Sequence, residues 1–127
     1  MNYSFNHSFV HIDPAVIEDF RTLMPGQPEF ANGIITSFLR ASPMMLDALR
    51  TAIFAGEIEA VKIAAHKMKS SNAQIGARRL AALCHQIERY ESMDEIPDAT
   101  ALFQELETEY RGVESELGIM LVRFMGN

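Results

Sequence analysis

The sequence predicts an all-α fold, an antiparallel four-helix bundle with a short additional helix near its N-terminus. Apolar residues recur at intervals of three and four along most of the 127 residues, which is the spacing of one face of an α-helix. Glycine and proline are sparse, and no segment alternates between apolar and polar residues as a half-buried strand does. The connections between the helical segments are short, which favours antiparallel neighbours. We expect residues 1–12 to be a flexible extension and residues 13–127 to form one helical domain.

The first helix is predicted to begin at Asp13 and Pro14 and to end by Met24. Aspartate supplies a side-chain oxygen for the N-cap, and proline suits the first helical position because its missing N–H would have no partner there. His7 and His11 precede this helix, and we expect no special role for either.

The second helix is predicted from about Pro28 to Ala55, with Gly56 as its C-terminal cap. Pro43 lies inside this helix and removes one backbone donor, so we expect a kink or a break there. The apolar residues at helical spacing are Phe30, Ile34, Ile35, Phe38, Leu39, Leu46, Leu49, Ala52 and Ile53.

Three more helices complete the predicted bundle. The third covers about Glu57–Gly76, the fourth fades within Ser92–Pro97, and the last covers about Asp98–Phe124. Gly112 and Gly118 each weaken the last helix by about 1 kcal/mol relative to alanine. The residues predicted to face inward are Ile58, Val61, Ala65, Met68, Asn72 and Ile75, then Leu80, Leu83, Cys84 and Ile87, then Leu102, Leu106, Tyr110, Val113, Leu117, Met120, Leu121 and Phe124.

Charge and cysteine content limit the classes of partner and the compartment. The net charge of −6 argues against nucleic acid and anionic membranes as general partners, since both attract basic surfaces. Cys84 is the only cysteine, so no intrachain disulfide can form and a reducing compartment is expected. The N-terminus does not resemble a signal peptide, and no apolar run approaches the roughly 20 residues of a membrane span. We therefore expect a cytoplasmic protein, and the Met1 start and compact length favour a stand-alone chain.

One histidine of the third helix lies at the margin of the predicted core. His66 follows the inward-facing Ala65 by about 100° of helical rotation, so its inner edge faces a neighbouring helix and its outer edge faces solvent. The residues that share its face are Lys62, Lys69, Ser70 and Ala73. Histidines beside lysines are also common on solvated helix faces, and the spacing alone leaves that interpretation open.

The chemistry of this face suits phosphate. A neutral imidazole is a nucleophile near pH 7, and Lys69 would offset the charge of a phosphoryl group bound to His66. Lys62 and Lys67 would stabilise the phosphoryl charge more weakly, because solvent screens their charges more. The small side chains of Ser70 and Ala73 would leave room for a second protein, which makes this face a predicted docking surface.

Other kinds of site lack their motifs. Metal sites in four-helix bundles use Glu-x-x-His pairs, but Ile63 and Ala82 stand three residues before His66 and His85. There is no His-Glu-x-x-His motif and no glycine-rich phosphate loop, so the sequence predicts neither a metal nor a nucleotide site. Cys84 is expected to be a core residue, and His85 is expected to face solvent.

The segment Ala65–Ala77 resembles the signature of histidine-containing phosphotransfer (HPt) domains, approximately Ala-His-x-Leu-Lys-Gly-Ser-Ser-x-x-Leu/Ile-Gly-Ala. The similarity continues over roughly 13–90, including the pattern Leu80…Leu83-Cys84…Ile87-Glu88. Ser70 replaces the usual glycine, which we expect to tune partner choice. Met68 replaces the usual leucine at little cost, since the two have similar volumes. The residues that stand at the matching places of the signature are Ala65, His66, Met68, Lys69, Ser71, Ile75, Gly76 and Ala77.

The resemblance implies a phosphorelay intermediate of two-component signal transduction, a phosphoryl carrier without a kinase or ATP site of its own. His66 would be phosphorylated on Nε2 and would exchange the phosphoryl group with aspartates of receiver domains, in response regulators or hybrid sensor kinases. The receiver would supply Mg²⁺, so no cofactor is expected in this chain. The family further implies that Lys69 contacts the phosphoryl oxygens and that Glu88 accepts a hydrogen bond from the imidazole Nδ1–H.

A different class of function fits the same face. A non-catalytic adaptor would bind a receiver or a kinase there and sequester it. The intact pair of His66 and Lys69 favours the phosphoryl carrier. A metal-storing or redox bundle is disfavoured by the missing ligand spacing.

Overall fold

Within residues 9–125 the fold consists of five α-helices, as the sequence predicts. The computed structural model describes residues 9–125, with side chains described up to residue 123. The helices are α1 (Pro14–Leu23), α2 (Pro28–Ala55), α3 (Ile58–Ile75), α4 (Arg78–Glu88) and α5 (Ala99–Met125), and a 3₁₀ turn (Met93–Glu95) precedes α5. Residues 9–125 contain no strand, so the all-α prediction is confirmed. None of the helices in this part of the chain has an apolar stretch that could cross a membrane.

Helices α2 to α5 pack as a bundle in which α3 and α5 are diagonally opposite. α3 packs against α2 and α4, α5 packs against the same two helices from the other side, and α1 lies on α2. Two residues connect α2 to α3 and two connect α3 to α4, and such short connections turn the chain back on itself. The predicted antiparallel four-helix bundle with an additional N-terminal helix is therefore confirmed.

The helix ends agree with the capping signals. The Asp13 carboxylate accepts a hydrogen bond from the Ala15 N–H at 3.0 Å and so caps α1. Gly56 and Gly76 follow α2 and α3 with φ values of 72° and 88°, a left-handed conformation that glycine adopts without steric cost. Space is also limiting at Gly76, because an added Cβ would lie 3.0 Å from the Cβ of Val16. Glycine thus lets α1 pack closely on the turn between α3 and α4.

Helix α2 continues through Pro43, so of the two outcomes expected there the break does not occur. The lost backbone hydrogen bond weakens a helix, but packing holds α2 on both sides of the proline. Ser42 is buried and shares a 2.8 Å hydrogen bond with the hydroxyl of Tyr110 on α5. Leu46 and Leu49 enter the core in the following turns.

The core follows the predicted stripes with few differences. On α3 and α4 every residue predicted to face inward is buried or partly buried. On α5 Phe103, which the predicted stripe omits, is buried and meets the ring of Phe54 edge to face at 6.1 Å between ring centroids. Leu102 is only partly buried. The predicted burial of Phe124 lies outside the described side chains.

Residues 9–12, here named the N-terminal strap, pack against α5, a contact that the sequence does not predict. The flexibility expected of the extension 1–12 stays a prediction. The two carboxylate oxygens of Glu116 accept hydrogen bonds from the backbone N–H groups of residues 10–12 at 2.9, 2.8 and 2.9 Å. Phe9 and Ile12 are buried in the core. A buried carboxylate with three backbone donors fixes the strap, because each backbone donor is satisfied by a charged acceptor.

His11 holds a defined place in the strap, although no role was expected for it from the sequence. Its Nδ1 lies 2.7 Å from Glu109 Oε2 on α5. Its ring packs over Gly112, where an added Cβ would lie 2.5 Å from the ring atoms. Gly112 therefore makes room for the imidazole. Residues 1–8, which include His7, lie outside the described residues.

Candidate functional site

The outward face of α3 carries His66. Ala65 is fully buried, whereas 59% of the neighbouring His66 side chain is exposed. This is the placement expected from helical phase, with the inner edge of the ring towards α4. The ring lines neither the groove between α4 and α5 nor the groove among α1, α2 and α3. His66 therefore stands on an open surface that a second protein can cover.

Glu88 joins His66 to Lys69. It is the last residue of α4, and the antiparallel pairing of α4 with α3 brings it opposite His66. Its Oε2 lies 2.5 Å from His66 Nδ1, and its Oε1 lies 2.5 Å from Lys69 Nζ. We name these three side chains the His66 cluster.

The carboxylate of Glu88 decides which ring nitrogen of His66 carries the hydrogen. The hydrogen bond from Lys69 lowers the pKa of Glu88 most, desolvation raises it, and the hydrogen bond with His66 lowers it further. The net effect is a lowered pKa, so the carboxylate is ionised at neutral pH. An ionised carboxylate only accepts hydrogen bonds, so Nδ1 of His66 is the donor in this contact. A neutral ring therefore has its lone pair on Nε2.

The three lysines near His66 differ in their partners. Lys69 is bound to Glu88, and Lys62 Nζ lies 3.5 Å from a carboxylate oxygen of Glu91. Both lysines are thus drawn towards α4 and the segment that follows it. Lys67 is exposed and forms no ion pair within the part of the chain that the structure describes. Lys67 is the lysine of this group whose charge is available to a partner.

The small residues of the predicted docking surface are open to solvent. Ser70 and Ala73 are exposed on the same side of α3 as His66. Met68, which stands where the family signature has leucine, is buried in the core and does not reach this surface. The docking role of Lys62, Lys67, Ser70 and Ala73 stays a prediction.

The other candidate residues have ordinary surroundings. Cys84 is buried, and this burial, with a smaller contribution from the charge of Glu88, raises the pKa of its thiol to about 12. His85 is exposed on α4. Among the described side chains, no group of three or more histidine, cysteine, aspartate or glutamate residues is arranged to hold a metal ion.

Two features of the site have weak or absent signals in the sequence. The bond between Lys69 and Glu88 depends on the register of α3 against α4, which no local pattern shows. Ile63, one turn before His66, is 59% exposed. Its exposure follows from helical phase, because Ile63 lies outside the inward stripe of α3. A single exposed apolar residue is common, however, and does not by itself indicate a site.

Known proteins share the sequence pattern and the fold of this chain. The family model described as the Hpt domain matches residues 33–116. Among solved structures, the chain is similar to histidine-containing phosphotransfer protein B (HptB) from Pseudomonas aeruginosa PAO1, with a TM-score of 0.76 and 27% sequence identity. That match covers 89% of this chain and 96% of the other. Comparison with curated protein sequences gives no match.

Proposed function

The chain belongs to the Hpt domain family and is a histidine phosphotransfer protein of a phosphorelay, and we propose that His66 carries its phosphoryl group on Nε2. The observation that supports this assignment best is the 2.5 Å contact of Nδ1 with Glu88 on an imidazole that is 59% exposed. The contact orients the ring and leaves the nucleophilic nitrogen to an incoming protein.

The proposed step is an exchange between an aspartyl phosphate of a receiver domain and His66. The Nε2 lone pair attacks phosphorus, an N–P bond forms, and the bond from phosphorus to the aspartyl oxygen breaks with its electron pair on that oxygen. No proton leaves the ring, so the phosphorylated imidazole is a cation whose Nδ1–H stays bonded to Glu88. The carboxylate stabilises this ring charge, and the reverse step returns the phosphoryl group to a receiver aspartate.

Lys69 is proposed to stabilise the charge of the phosphoryl oxygens. It lies one helical turn after His66 on the same side of α3. An ammonium group has three donors, so Lys69 can keep its bond to Glu88 and still donate to the phosphoryl group. The receiver is expected to supply Mg²⁺ at its own carboxylates, and this chain is proposed to need no cofactor.

The surface around the His66 cluster is proposed to receive the partner. Lys67, which forms no ion pair within residues 9–125, presents its charge to the partner, and Lys62 adds charge at the edge. Ser70 and Ala73 let the partner approach closely. The hydroxymethyl group of Ser70, where the family signature has glycine, is the feature that we expect to bias the choice among receivers.

Phosphoryl transfer from a receiver tests the assignment to His66. The purified protein is mixed with each phosphorylated receiver domain of the source organism in turn, with Mg²⁺ present. We expect an acid-labile, base-stable phosphate on the wild-type protein and none on His66→Gln. The matched control is His85→Gln, which replaces another exposed histidine on the neighbouring helix and should keep the label. Label that persists on His66→Gln would refute the assignment.

A further inference from the structure

We propose that Ile63 is a specificity contact at the centre of the receiver-docking surface and that the receiver covers it with an apolar side chain. This inference rests on the proposed function of His66, since it concerns the surface through which that function operates. Ile63 is absent from the matched signature and from the residues assigned to docking above.

The exposure of Ile63 is unusual for α3. It is 59% exposed, whereas the other large apolar side chains of this helix are buried or partly buried. A single exposed isoleucine is common on protein surfaces, so its meaning depends on where it lies. It lies three residues before His66, which places their Cβ atoms about 5–6 Å apart.

The size of a protein contact places Ile63 inside the docking surface. A specific protein interface covers at least about 500 Å² of each partner and a standard one about 800 Å², which corresponds to discs of about 13–16 Å radius. A receiver aspartate that reaches Nε2 must centre this disc near His66. Ile63 then falls in the inner half of the contact, where water is excluded and where the residues that dominate affinity cluster.

The neighbouring side chains leave Ile63 open. Lys62 and Lys69 form ion pairs with Glu91 and Glu88 on the α4 side, away from Ile63. On its other flank Lys67 is one turn further along the helix and has no ion-pair partner within residues 9–125. A partner surface that complements Ile63 and Lys67 presents an apolar side chain beside acidic groups.

Charge favours a receiver domain over a second copy of this chain as the occupant. A symmetric dimer on this face would bring the same lysines of two copies together, and like charges across an interface are unfavourable. The acceptor site of a receiver is built on carboxylates, which complement Lys67. A self-association through Ile63 is therefore an outcome that would overturn the proposal.

The test measures transfer from the receiver that phosphorylates the wild-type protein fastest, over a range of receiver concentrations. Ile63→Ala removes the contact without threatening the fold, because alanine is the better helix former. Ile119→Ala is the matched control, since Ile119 is an exposed isoleucine on α5, diagonally opposite α3. Chemical phosphorylation by phosphoramidate is measured in parallel, because it reaches His66 without any docking.

We expect Ile63→Ala to raise the half-saturating receiver concentration at least tenfold, with the maximal rate and the phosphoramidate reaction within twofold of wild type. Ile119→Ala should leave all three quantities within twofold. Equal behaviour of the two variants would overturn the proposal for Ile63, as would an equal loss of receiver and phosphoramidate labelling or a wild-type dimer that Ile63→Ala dissociates. Failure of the wild-type protein to be labelled on His66 by either donor would instead refute the proposed function.

Discussion

Replacing Gly112 by alanine should destabilise the protein, although alanine is the better helix former. Gly112 and Gly118 both lie inside α5, and their surroundings differ. An added Cβ at position 112 would lie 2.5 Å from the ring of His11, whereas at position 118 nothing lies within 4 Å. Gly118→Ala is therefore a matched control on the same helix.

The magnitudes follow from two opposing terms. Alanine in place of glycine inside a helix adds about 1 kcal/mol to the free energy of unfolding, which is the expected gain for Gly118→Ala. Gly112→Ala gains the same amount but displaces the His11 ring from Glu109, and the loss of a hydrogen bond to a charged group costs about 1.5–3 kcal/mol. The difference is a net loss of about 0.5–2 kcal/mol for Gly112→Ala.

Urea unfolding followed by circular dichroism measures both variants, and a double variant isolates the cause. In a His11→Ala background the ring is gone, so Gly112→Ala should then stabilise the protein by about 1 kcal/mol, as Gly118→Ala does. The reasoning is refuted if Gly112→Ala raises the free energy of unfolding as much as Gly118→Ala while His11 is present.

Three further predictions concern the His66 cluster and the core. Lys69→Ala should slow phosphoryl transfer about tenfold, equivalent to about 1.4 kcal/mol in the barrier, with unchanged helical content; an unchanged rate would contradict its electrostatic role. Because the pKa of Glu88 is lowered, its bonds stabilise the folded state fully above the ordinary pKa of glutamate, and this stabilisation is lost as the pH falls through the lowered value. The urea midpoint of wild type should thus exceed that of Glu88→Gln by a constant difference near neutral pH, and this difference should shrink in acid. A difference that does not depend on pH would contradict the bonding of an ionised Glu88 carboxylate. The buried Cys84 thiol, with its pKa raised to about 12, should react with a disulfide reagent at mildly alkaline pH only after unfolding, as absorbance of the released thiolate would show; rapid reaction of the folded protein would contradict the burial.

Local sequence patterns were sufficient to predict the helices and the outward direction of the His66 side chain. The apolar spacing of α3 fixes its buried stripe, and the residue next to Ala65 must then lie at the edge of that stripe. The capping residues Asp13 and Gly76 mark helix ends because they act on backbone groups within a few residues. Such features depend on short-range geometry, which the order of residues determines directly.

These local patterns could not predict contacts between residues that are far apart in the chain. The continuity of α2 at Pro43 depends on burial against helices far away in the chain, which outweighs the local cost of proline. The strap is fixed by Glu116, about a hundred residues later, which no local pattern connects with residues 9–12. From the sequence alone, Gly112 only weakens α5. The structure shows that the ring of His11 occupies the space that a side chain at position 112 would need.

The sequence by itself determined an all-α bundle and an outward-facing His66 beside lysines. Its resemblance to a known family implied the chemistry of that histidine. Only the tertiary structure decided that Lys69 and His66 share the carboxylate of Glu88, and that Lys67 has no ion-pair partner within residues 9–125. The physical reason is that helical phase sets the direction in which a side chain leaves its own helix. The register between α3 and α4 sets which charge it meets, and that register is decided by the packing of the whole core.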